Sequence, residues 1–156
     1  MKPALCLALA LLPTPLLADT VFSELVGSWR GNGTYTEGIT QVDLRCRMSI
    51  TGDSAAITLA GRCASSLGGD DFTMHFEQGP NRTASVRSGG SSRASGASLD
   101  GLTGPLGRNG VVLKGVSQSE EVTVQLLLQD DGGLVFATRA VGGGVTSTSY
   151  VTLARQ

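Results

Sequence analysis

The chain has one histidine, three cysteines, 4% aromatic side chains and a formal net charge of −1 over 156 residues. A single histidine with so few thiols makes a poor metal-ligand set. No nucleophile or acid stands beside it in a recognisable catalytic context, so no catalytic residue and no cofactor is expected. A charge this close to zero excludes both a basic nucleic-acid footprint and an acidic disordered tail. No Gly-x-x-x-x-Gly-Lys-Ser/Thr phosphate loop is present, and the Gly-x-Gly elements fall in turns away from any helix start, which removes support for nucleotide binding. No apolar run reaches the roughly 20 residues needed to span a bilayer, so stable membrane insertion is not expected.

Of what is present, the first stretch is a leader. Lys2 precedes an apolar run from Ala4 to Leu12, and Pro13-Thr14-Pro15 breaks it ahead of Leu16-Leu17-Ala18. Residues 1–18 therefore read as a Sec-type signal peptide cut near Ala18, and Cys6 is lost with it. Residues 19–156 are expected to form one exported domain, periplasmic or secreted.

That domain reads as all-β after one short helix. Val21, Phe22, Leu25 and Val26 have helical spacing behind a candidate N-cap at Asp19 or Thr20. Gly27 stops the helix and opens a glycine-spaced strand, Gly27 to Thr36, that carries the lone tryptophan, Trp29. The clearest alternation follows: Val42, Leu44, Cys46, Met48 and Ile50 point one way and Gln41, Asp43, Arg45, Arg47 and Ser49 the other. Thr51-Gly52-Asp53-Ser54 turns the chain, and Ile57, Leu59, Gly61 and Cys63 continue the inward face. Pairing these strands as a hairpin sets 46 opposite 63, 48 opposite 61 and 50 opposite 59. Directly facing cysteines lie within disulfide reach, so in an oxidising compartment Cys46 and Cys63 are expected to be bonded.

Further strands follow at Phe72–Glu77, Arg82–Arg87, around Val111-Val112-Leu113, at Glu121–Gln129, at Leu134–Ala140 and at Val145–Ala154. His75 alternates outward between Phe72, Met74 and Phe76, and Asp130-Asp131-Gly132-Gly133 is ordinary turn chemistry with too few oxygens for a calcium cage. The architecture expected is a single small antiparallel up-and-down β-barrel of about eight strands, the last pairing with the first, with an open β-sandwich as the alternative.

The order helix, Gly-x-Trp, β-meander resembles the start of the calycins, the lipocalin-like barrels. The resemblance implies that Trp29 packs at the closed end of the barrel beneath a basic residue from the last strand, for which Arg155 is the candidate. Gly27, Trp29, Gly31 and Gly33 are also similar to the opening of nitrobindin-type haem barrels, but those use a histidine near the far end of the chain, and none is there. Trp29-Arg30-Gly31-Asn32-Gly33-Thr34, Arg45-Cys46-Arg47 and Arg62-Cys63-Ala64-Ser65-Ser66 together resemble a set of small exported alphaproteobacterial proteins of unknown function, a likeness that carries no activity.

Two functions from different classes fit these features. One is a non-enzymatic barrel holding a small apolar or amphipathic ligand. The other is a module that binds an exported protein, such as a protease or lysozyme inhibitor, through the loops at Gly89–Ser95 or Arg108–Gly110. The volume of the interior decides between them.

Overall fold

The computed structural model describes residues 21–88 and 99–156. The leader, the candidate N-cap and the loop at Gly89–Ser95 lie outside the described residues. Helix α1 (Val21–Leu25) buries Val21, Phe22 and Leu25, positions that share one face of a helix. The strands are β1 (Gly27–Glu37), β2 (Thr40–Gly52), β3 (Ala56–Ser65), β4 (Gly68–Gly79), β5 (Thr83–Ser88), β6 (Thr103–Pro105), β7 (Gly110–Ser117), β8 (Glu120–Leu128), β9 (Leu134–Gly142) and β10 (Val145–Arg155). Each is antiparallel to its neighbour in sequence, and β10 returns to β1 to close a barrel.

Ten strands replace the expected eight or so, and the sandwich alternative does not form. The strand least visible in the sequence is β6, three residues long and containing Gly104 and Pro105, which is too short to show a two-residue period. Its partners hold it in place: Thr83, Ala84 and Ser85 on β5 and Lys114 on β7. Just before it, Leu99 and Leu102 are buried in the core on either side of the turn at Asp100-Gly101.

The hairpin of β2 and β3 has Cys46 opposite Cys63, Met48 opposite Gly61 and Ile50 opposite Leu59. A disulfide joins Cys46 to Cys63 across a sequence separation of 17. Closing a loop of this size is worth about 3 kcal/mol on the chain-entropy account. Thiol titration of unfolded, unreduced protein lacking residues 1–18 is therefore expected to find none, and the double change Cys46→Ala/Cys63→Ala to cost about that much stability in urea unfolding. Two titratable thiols would overturn the assignment.

Strand β1 shows why the barrel closes tightly. Its inward positions run Trp29, Gly31, Gly33, Tyr35, and a Cβ at Gly31 would fall on the Thr152 carbonyl oxygen, one at Gly33 on that of Tyr150. The two glycines let β1 coil directly against β10. At the start of β1, the buried Trp29 donates its indole N–H to Leu25 O at 2.9 Å. Arg155, opposite Trp29 in register, lies over the indole at 4.3 Å from the ring centroid. Its Nη1 donates to Val26 O at 2.6 Å and its Nη2 to Glu24 O at 2.7 Å. First strand, last strand and helix are thus joined at one end, where Phe22, Leu25, Ile50, Ile57, Leu59 and Phe76 fill the interior. This is the closed end.

Candidate functional site

The other end is not filled. The alternation that buries Met48 and Ile50 near the closed end carries Val42 and Leu44 inward near the opposite mouth, while β9 and β10 contribute Phe136, Thr138, Ser149 and Val151. With Tyr35 and Glu37 of β1 and Cys63, Phe72 and Met74 of β3 and β4, these side chains surround a cavity of about 230 Å³.

Its floor is aromatic. Phe72 of β4 and Phe136 of β9 meet across the barrel with ring centroids 5.6 Å apart and planes 8° from parallel. Phe72 can lie there because its cross-strand partner is Gly61, where a Cβ would come within 2.5 Å of the ring. A glycine opposite an aromatic residue lets the ring cover the sheet. The pair separates the packed core below from the open volume above.

The walls carry a few polar groups. Thr138 and Ser149 share a hydrogen bond of 2.8 Å between their hydroxyls, and Ser149 is the one buried polar residue among those described. At the rim Tyr35 donates its hydroxyl to Glu37 Oε2 at 3.0 Å. Burial, followed by the bond to Glu37 and its charge, pushes the Tyr35 pKa from 10.0 up to about 12. Among the described residues two acids, Glu37 and Asp70, line the cavity and no basic residue does.

The raised Tyr35 pKa links folding to pH. The folded protein holds this proton more tightly than the unfolded chain, so the stabilisation is complete below pH 10 and is lost as pH rises towards about 12. Urea unfolding across this interval is expected to show a steeper fall for the wild type than for Tyr35→Phe. Parallel pH profiles would show that Tyr35 ionises as freely in the folded as in the unfolded chain.

Of the residues singled out in the sequence, Trp29 and Arg155 sit together at the closed end, and Cys63 borders the cavity from the side. His75 is exposed on the outer wall, within 3.0 Å of the Thr58 hydroxyl, and takes no part in the cavity. Arg108 and Asn109 border a shallow depression beside Glu24 at the closed end, far from the mouth. Among the described residues no group of three or more His, Cys, Asp or Glu is placed to hold a metal ion, and no helix is long and apolar enough to cross a membrane. Sequence reasoning missed Tyr35 and Glu37. Two consecutive inward glycines hide the inward face of β1, and only the register against β2 and β10 reveals it.

Fold and site together define a closed antiparallel barrel, plugged at one end by a helix and hollow at the other. Neither a family model nor a curated protein matches the sequence. Among solved structures, the S-type phycobiliprotein lyase CPES from Guillardia theta is similar, with a TM-score of 0.57 and 14% identity over 86% of this chain and 90% of that one. At this identity the likeness is one of fold.

Proposed function

We propose that this protein is an exported binding barrel that takes a small, mainly apolar ligand into the cavity at its open end. The observation that carries this reading is the enclosed volume of about 230 Å³ above the Phe72–Phe136 pair. A dry cavity of about 150 Å³ already accommodates benzene, so this one suits one or two rings or a short chain. Ligand sites are typically apolar with a few placed polar groups, and the Thr138–Ser149 hydroxyls and the Tyr35–Glu37 pair at the rim fit an amphipathic ligand whose head accepts or donates hydrogen bonds. The leader at residues 1–18 and the Cys46–Cys63 bond support export. The similar structure is a phycobiliprotein lyase; the reading of this cavity as a binding site rests on its volume and its largely apolar lining.

Native mass spectrometry of protein purified from its own host is expected to show a small adduct. Toluene added to the emptied protein is expected to shift the Phe72 and Phe136 ring resonances, and Leu44→Trp, which fills the cavity from β2, to abolish the shift. A toluene response that survives Leu44→Trp, or none in the wild type, would end this reading.

A second reading, contact with another protein, draws support from the mouth itself. Ile39, Leu67, Val116 and Val145 are large, apolar and exposed, and all four stand at or beside the turns β1–β2, β3–β4, β7–β8 and β9–β10 that ring the open end. Changing Ile39 and Val116, neither of which lines the cavity, to serine is expected to leave toluene binding intact, so the two readings separate in one experiment.

A further inference from the structure

The barrel explains Trp29, Gly31, Gly33, Cys46 and Cys63, but it does not explain the arginines set among them. Arg30, Arg47 and Arg62 stand on β1, β2 and β3 in direct register, Arg30 opposite Arg47 and Arg47 opposite Arg62. All three are exposed on the outer wall, and Arg45 stands one outward position further along β2. Neighbouring strands lie about 4.8 Å apart, so these charges face one another well inside a Debye length of roughly 8–10 Å. Like charges directly opposite each other destabilise a sheet. Among the described residues one acidic side chain forms an ion pair with the row: Asp71 of β4, whose Oδ2 is 2.7 Å from Arg62 Nη1. Among the described residues Arg30, Arg45 and Arg47 have no ion pair.

The next outward row towards the closed end is small. Ser28, Ser49 and Ala60 occupy it in the same register. Beside the three arginines they leave a depression of about 480 Å³ on the wall, with Asp71 and Gln156, whose backbone N–H donates to Ser28 O at 2.9 Å, at its edge. A row of long cations over a row of short side chains forms a shelf, separate from the cavity inside the barrel.

We infer that this shelf binds a phosphate group, either free or carried on a small molecule or lipid headgroup. Guanidinium forks match the oxygens of phosphate in pairs, and the Ser28 and Ser49 hydroxyls add donors on the floor. A compact multivalent oxyanion can meet several forks of the row at once, which a single carboxylate cannot. Its charge also removes the repulsion between Arg30 and Arg47, so binding relieves a cost built into the empty sheet.

Inorganic phosphate, titrated at constant ionic strength, is expected to raise the melting temperature of the wild type. The double variant Arg30→Gln/Arg47→Gln should bind phosphate roughly tenfold or more weakly, as loss of charge-assisted hydrogen bonds implies. Arg139→Gln, which removes the same kind of charge from β9, should respond like the wild type. Vesicles of phosphatidylcholine with phosphatidic acid separate the sources, because co-sedimentation with these and not with phosphatidylcholine alone identifies a headgroup. In phosphate-free buffer the double variant is expected to melt at or above the wild type, since like-charge repulsion is gone. If it melts well below, the arginines are structural and the inference fails. It fails equally if neither phosphate nor the acidic vesicles act on the wild type, or if both act equally on the double variant.

Discussion

Deleting Thr152–Gln156 is expected to open the barrel. These residues include Leu153, which is 3% exposed, and four of the β1–β10 pairs, Trp29 with Arg155 through Asn32 with Thr152. Burial of a leucine contributes roughly 1.5–3 kcal/mol. The deletion also removes the hydrogen bonds from Arg155 to Glu24 O in the helix and Val26 O just after it, and uncovers the Trp29 ring, contacts worth together about 1–3 kcal/mol. Such a loss is a large part of the 5–15 kcal/mol that holds an ordinary domain together. It also leaves the edge of β1 unpaired, a template for association with other chains. The truncated protein should show red-shifted emission from the lone tryptophan and should aggregate. Unchanged emission and melting would mean that the β1–β10 seam does not hold the barrel shut.

Gly31→Ala is the second change with a large expected effect, although it adds a single methyl group. The new Cβ would meet the Thr152 carbonyl oxygen and the Cα of Leu153, both backbone, so no side chain can rotate away. Either β1 moves off β10 or the pair loses its register. Overpacking of side chains typically costs 1–3 kcal/mol, and a clash with rigid backbone should exceed about 3 kcal/mol. Gly107→Ala is the control, because the nearest atom to its Cβ is Gly110 O at 3.4 Å. Urea unfolding should place Gly107→Ala near the wild type and Gly31→Ala far below it. Equal stability of the two variants would show that β1 has room beside β10.

These expectations rest on a seam that the sequence marked only in part. The β2–β3 hairpin was legible residue by residue, because five apolar side chains alternate from Val42 to Ile50 and the turn at Gly52-Asp53 sets the register. The seam of β1 and β10 was legible from Trp29 and Arg155 through a family likeness, whereas Gly31 and Gly33 conceal which face of β1 points inward. The cavity was not legible at all. Its floor depends on Phe72 and Phe136 meeting from β4 and β9, on opposite sides of the barrel, and no local period reports a contact across a lumen. The mouth depends on Tyr35 and Glu37, polar residues near the end of a glycine-rich strand that gave no sign of facing inward. The arginine row is a property of register as well: Arg30, Arg47 and Arg62 are far apart in the chain and become neighbours only when three strands align.

The order of the strands around the barrel also sets an order for folding. Every seam except one joins consecutive strands, so nine of them form from short-range contacts whose loop-closure entropy is small. The exception joins β1 to β10, where Trp29 must find Arg155 across nearly the whole domain. Before that contact, the curved sheet exposes two edges and an open core. Since β10 is the last of the ten strands to be made, no nascent chain that lacks it can shut the barrel, and helix α1 gains its hydrogen bond from Arg155 to Glu24 O only at that final step. The sheet thus keeps one open seam until its closing strand is available.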